Sequence, residues 1–291
     1  MKPFFGGRYD KCVADDGFSF AIIESDATSG KELQLIFADG AHFLKDVTAL
    51  KRTDQGMEIH VEEDGLSIHA SLVFGPLHPL SKPVMGPFRH FKMQCNHAVY
   101  SMFHSVKGTF LHNGILHEFR DGYGYAEGDY GTSFPEGYVW FNSSGKDYGV
   151  TFAYATIPFG LIRFHGLLAF IKTEKGEWRL TTYTGARVLS CSKKRIVVKK
   201  GRYRLEITPS FREGHALKAP AEGAMKRLIK ENLAVTSHVV FKKGKEVILE
   251  KDDPLSSMEF MMEEKKINGK IKPRPKSGKG VNWSERRDSN P

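Results

Sequence analysis

At 291 residues the chain is long enough to bury a large core and to form one large or two medium domains. Its formal charge of +9 is concentrated at one end: residues 265–291 hold nine Lys/Arg against two Asp/Glu, leaving a net of only +2 on the rest. That excludes a basic nucleic-acid-binding face on the folded body. The three cysteines, Cys12, Cys95 and Cys191, are far apart and form no CxxC pair, which excludes a disulfide framework and a thiolate zinc site and points to a reducing, cytoplasmic setting.

Taken in order, the N-terminal residues MKPFFGGRYDK contain no apolar run of signal-peptide length. Short alternating segments follow at 17–25, 32–38, 47–52, 57–62 and 66–74, each reading as a strand, with Asp64-Gly65 as a hairpin turn. Residues 75–87 carry four prolines and two glycines and set the expected domain boundary, dividing a first β half (1–87) from a second (88–264). The pattern restarts with a long strand at 96–110, turned by Asn113-Gly114 into 115–119. Residues 150–171 are apolar enough to suggest a membrane span, but Pro158, Arg163 and His165 interrupt them, and they divide into two strands around Pro158-Phe159-Gly160. Further strands are expected at 178–184, 187–189, 195–199 and 203–208. Residues 220–233, PAEGAMKRLIKENL, place Met225, Leu228, Ile229 and Leu233 on one stripe and predict an amphipathic helix, with Arg227 and Glu231 four apart as a surface ion pair. A hairpin through Lys243-Gly244 and a strand at 257–262 close the body. Residues 265–291 have too little apolar surface to order. Many short strands with one helix predict a mainly β protein built of sandwiches or barrels.

The densest chemistry lies at 122–141, GYGYAEGDYGTSFPEGYVWF. In an extended chain Tyr125, Glu127 and Asp129 point to one face. They form either an edge hairpin whose acids meet water, or acids set beneath aromatic walls, where desolvation raises a carboxyl pKa. No HExxH, GxSxG, P-loop or GxGxxG is present, and His97 and His104 fall on opposite faces of their strand, so neither a metal nor a cofactor is expected.

The core Tyr125-x-Glu127-x-Asp129-x-Gly131-x-Ser133-Phe134-Pro135, followed by Trp140, resembles the tocopherol cyclase family. Phe5, Gly7, Tyr9 and Lys11 are similar to its opening motif. Cys95, His97, Ser101, Met102, His104 and Gly108 are similar to the strand before the core. Gly214 to Pro220, with Gly223, Met225, Arg227 and Glu231, is similar to its closing segment. The departures are Gly6, Arg8 and Asp10 in the opening motif, and Tyr130 and Thr132 in the core.

The resemblance implies lipocalin-like β-barrels, two barrel-like halves in tandem, enclosing a hydrophobic cavity. It also implies acid-catalysed ring closure on a prenylated quinol or related isoprenoid lipid, in which a proton reaches an alkene and a phenol oxygen captures the cation. On that reading Asp129 is the first candidate acid and Glu127 the second, Tyr125 and Trp140 line the path of the cation, and Phe134, Tyr138, His97 and His104 contact the ligand. A prenylated aromatic or isoprenoid lipid is the expected partner, with transient membrane contact and no nucleic acid. The alternative is a carrier that holds the same ligand without chemistry.

Overall fold

The structure, a computed structural model, describes residues 3–53, 55–159 and 162–263; the basic tail expected at 265–291 lies outside them. The first sheet holds β1 (Phe5–Val13), β2 (Ser19–Ala27), β3 (Gly30–Phe37), β4 (Ala41–Leu44), β5 (Leu50–Thr53), β6 (Gly56–Glu63), β7 (Leu66–Phe74), β8 (Cys95–His112) and β9 (Ile115–Gly131). Its order is β4-β3-β2-β1-β9-β8-β7-β6-β5. The second holds β10 (Tyr138–Ser144), β11 (Tyr148–Phe159), β12 (Ile162–Thr173), β13 (Gly176–Arg179), β14 (Arg187–Cys191), β15 (Ile196–Lys200), β16 (Tyr203–Pro209), β17 (His215–Ala221), β18 (Ala224–Lys243) and β19 (Glu246–Phe260). It runs β13-β12-β11-β10-β19-β18-β16-β15-β14, with β17 on β18. The pairings are antiparallel.

Alternation builds these strands. In β6, Met57, Ile59 and Val61 are buried while Glu58, His60 and Glu62 face out. The expected turns sit where only a left-handed backbone closes a two-residue hairpin: Asn113 and Gly114 have φ of 50° and 82°. The strands expected around Pro158 are β11 and β12, and among the described residues no helix is long and apolar enough to cross a membrane.

Each sheet curls over its own apolar core: Phe20, Leu35, Ile59, Ile68 and Phe110 in the first, Phe152, Ile171, Val198, Val239 and Phe241 in the second. Among the described residues neither closes into a barrel, which corrects the barrel expectation. The first sheet ends in β4 and β5, four residues each, on opposite ends of its hydrogen-bonded order. A third core, drawn from both sheets, joins them: Tyr9, Ile36, Met102 and Tyr125 meet Trp140, Phe170, Leu217 and Leu233. The chain passes from one sheet to the other at 132–137. The proline-rich segment 75–87 joins β7 to β8 within the first sheet, tied to β8 by Met102 N–H donating to His78 O at 3.0 Å.

The expected helix at 220–233 is absent, and those residues form the β17–β18 hairpin. Glu222 and Gly223 take φ of 53° and 78° and make a two-residue turn inside the run expected to be helical. Beyond it the burial has period two: Met225, Ile229, Glu231, Leu233 and Val235 are buried, while Leu228 is 66% exposed. Strand pairing on both sides of β18, with β17 and with β19, outweighs the modest helix propensity of its lysines and leucines.

Candidate active site between the sheets

The two sheets do not touch everywhere. A cavity of about 160 Å³ lies between them, walled by β1, β2, β8 and β9 on one side and by β10, β11, β12, β17, β18 and β19 on the other. Glu127, Asp129 and His97 contribute its charge, and Phe134, Tyr138 and Trp140 its aromatic surface. The cavity is therefore between sheets and not inside a barrel.

β9 delivers the acids. Its odd residues Tyr125, Glu127 and Asp129 face the second sheet, while Gly124 and Gly128 face the other way, where a Cβ would meet His104 Nε2 at 2.6 Å and the Tyr100 hydroxyl at 2.5 Å. The alternating glycines of the motif thus leave room for side chains behind the strand. Glu127 Oε2 accepts hydrogen bonds from the Tyr125 hydroxyl and from Trp140 Nε1–H at 3.1 Å. His97 lies between the carboxylates, with Nδ1 3.1 Å from Asp129 Oδ1 and Nε2 3.6 Å from Glu127 Oε2. Cys95 Sγ–H reaches Asp129 Oδ1 at 3.5 Å.

Electrostatics follow from that packing. Burial raises the Glu127 carboxyl to about 7, aided by Asp129 and opposed by His97. Burial lowers His97, but the two carboxylates outweigh it and lift the imidazole to about 9. At neutral pH the imidazole is charged and Glu127 is near its midpoint. One ligand atom from each of His97, Glu127 and Asp129 lies within 4.8 Å of the others, a group that could hold a cation among the described residues. The ring, however, presents a different nitrogen to each carboxylate, an arrangement suited to a shared proton more than to a metal, which one imidazole meets through a single nitrogen.

The other predicted residues divide. Tyr125 is fully buried behind Glu127 and outside the cavity wall, its hydroxyl shared with Thr151 at 3.4 Å. His104 is also outside it. Register shifts in β8 between Val99 and His104 break the alternation, and four consecutive residues, Ser101 to His104, are buried. His104 packs on Phe74, both ring nitrogens lack a hydrogen-bond partner among the described residues, and burial lowers it to about 4. Phe134 is held by backbone, donating its N–H to Pro220 O at 3.0 Å, while Gly223 N–H bonds Thr132 O at 2.6 Å.

Sequence reasoning missed the opposite wall. Glu231, expected on the surface with Arg227, is fully buried and accepts from the Tyr9 hydroxyl at 2.7 Å. Arg227 instead donates to Pro135 O and Glu136 O, both at 2.6 Å, clamping the crossover between sheets. Glu259 lines the cavity and accepts from the Tyr138 hydroxyl. The available signal was a period of two: Ser257, Glu259 and Met261 alternate in a closing strand, and Glu231 sits midway between Ile229 and Leu233.

No protein-family model matches the chain, and no curated protein matches its sequence. Solved structures resemble it in shape. Kievitone hydratase from Nectria haematococca is 8% identical, with a TM-score of 0.51 over 90% of this chain and 89% of its own. A putative AttH from Nitrosomonas europaea is 11% identical, at 0.53 over 90% and 93%. CghA with Sch210972 is 9% identical, at 0.57 over 88% of each chain. With near-complete coverage at such low identity, what the chain shares with these proteins is its architecture: a lipocalin-like, two-sheet β fold.

Proposed function

We propose that this protein is an acid–base catalyst that adds an O–H group across a carbon–carbon double bond of a hydrophobic small molecule held between the sheets. Ring closure on a prenylated quinol, the tocopherol cyclase type of reaction, is the form that the sequence motif favours. Supporting the broader chemistry, one neighbour in fold is named a hydratase. The observation that carries the reading is Glu127, a carboxyl raised to about 7 beside His97 in the wall of an aromatic-lined cavity.

In this reading Glu127 gives its proton to the alkene carbon, forming a C–H bond and leaving a tertiary cation. The faces of Trp140 and Tyr138 stabilise that cation through their quadrupoles. The hydroxyl oxygen then bonds to it, and its proton returns to the carboxylate. His97, charged between the two carboxylates, stabilises the Glu127 carboxylate until the hydroxyl proton restores the acid. Asp129, the first acid candidate on sequence grounds, here orients and charges His97, and Tyr125 holds Glu127 from behind.

Geranylhydroquinone is a suitable probe. Glu127→Gln should reduce its cyclisation by roughly 10²–10⁴-fold while binding, followed by tryptophan fluorescence, stays close to that of the parent. Equal turnover by the two proteins removes Glu127 from the chemistry. Binding without turnover by the parent protein supports the carrier reading instead.

A further inference from the structure

Across the second sheet, Trp140 pairs with Glu259 and Glu259 pairs with Glu231, each directly opposite the next on β10, β19 and β18. On the first sheet Tyr9 stands directly opposite Glu127. The Tyr9 hydroxyl crosses to Glu231, and Trp140 Nε1–H crosses to Glu127. The two rows thus face one another, with the cavity beside them.

Two glutamates directly opposite one another on neighbouring strands, both buried, repel when both are ionised. Their surroundings decide which one keeps the charge. Glu231 has the Tyr9 hydroxyl and the Lys11 ammonium, which donates to Ser257 Oγ at 2.8 Å beside it. Glu259 has the Tyr138 hydroxyl on Oε2 and negative neighbours in Glu231, Glu127 and Asp129. Arg227, whose guanidinium lies 5.9 Å from the Tyr138 ring, donates to the crossover backbone. Of the two, Glu231 ionises first and Glu259, raised further by burial and by Glu231, keeps its proton. Tyr138 occupies one oxygen of Glu259, leaving the other, with its proton, for the cavity.

We propose that Glu259 is the oxygen-recognition residue of this cavity: a neutral carboxylic acid, kept protonated by its burial and by Glu231 opposite it, that donates a hydrogen bond to a carbonyl or hydroxyl oxygen of the ligand. This deepens the acid–base reading and rests on it for the nature of the ligand. It implies an apolar molecule with two marked ends, an oxygen at Glu259 and a double bond at Glu127.

The test compares binding of geranyl-1,4-benzoquinone with that of geranylbenzene, which lacks oxygen, by calorimetry on the full chain. The parent should prefer the quinone about tenfold or more. Glu259→Gln, whose amide still donates, should keep that preference within about twofold; Glu259→Leu should abolish it. The preference should fade at alkaline pH in the parent and not in Glu259→Gln. Glu231→Gln should move that fading to lower pH, a shift that a merely structural role would not cause. A preference retained by Glu259→Leu, or lost in Glu259→Gln, overturns the proposal. Failure of the parent to bind either probe overturns the ligand class, and the proposal with it. Full turnover by Glu127→Gln alongside the expected binding pattern overturns the acid assignment alone.

Discussion

Asp10 lies on the face of β1 turned away from the cavity, fully buried, with Arg8 Nε 2.9 Å and Arg52 Nη2 2.8 Å from the same carboxylate oxygen. A carboxylate takes up that position only because both guanidiniums neutralise it; if it goes, Arg8 loses its carboxylate and Arg52 keeps only Glu24 Oε2, at 2.8 Å. Asp10→Ala should therefore cost about 1.5–3 kcal/mol in urea unfolding, although the residue lies outside the cavity wall; a loss under 1 kcal/mol would show the ion pairs to be solvated. From its place in the opening motif, Asp10 reads only as a departure from a family pattern. Its partner Arg52 is on β5, reached through folding and not through spacing.

The β17–β18 hairpin connects sequence pattern to site. Its turn backbone holds Thr132 and Ser133, the latter hydroxyl accepting from Glu222 N–H at 2.6 Å, and its long strand carries Arg227 and Glu231. Helix and strand make opposite forecasts for two adjacent leucine-like positions. A helical stripe buries Leu228 and Ile229 alike, whereas the strand buries only Ile229. Ile229→Ala should cost about 2–5 kcal/mol and Leu228→Ala should stay within about 0.5 kcal/mol, both from denaturant melts. Similar large losses at both positions would contradict the strand. Met225, Leu228, Ile229 and Leu233 satisfy a helical period of 3.6, while the residue that betrays the strand, Glu231, is acidic and by its type belongs on a surface.

Across the molecule, several buried groups bind protons more tightly folded than unfolded. Glu127 and Glu231, raised from 4.5 to about 7, contribute stability that is complete below pH 4.5 and lost as pH rises through 7. His97, raised from 6.5 to about 9, contributes stability that is complete below 6.5 and lost toward 9. His104 has the opposite sign: its contribution is present above 6.5 and lost as pH falls toward 4. Lys11, lowered from 10.5 to about 8, regains stability only above 8. Between pH 6.5 and 8 the first three act unopposed by the last two. The thermal midpoint should fall across that window in scanning calorimetry; a rise would mean that these carboxyls are not buried in solution. A folded state that gives up stability near neutrality to keep protonated carboxyls in its interior is what a proton-transferring site requires.

Local patterning was enough to establish a β protein, its hairpin turns at Asp64-Gly65 and Asn113-Gly114, the paired strands around Pro158, and the shared face of Tyr125, Glu127 and Asp129. Those features depend on residues within a few positions of one another, and a period of two is visible wherever one face of a strand is buried. Packing alone set the rest. That the sheets stay open, that the cavity lies between them, that His97 reaches Glu127 and Asp129 while bulges carry His104 away, and that Glu231 and Glu259 meet on neighbouring strands all arise from pairings between distant segments. The same glutamate side chain is a solvated charge on a free strand and a proton-holding acid once the second sheet closes over it, because it is the removal of water that changes its chemistry.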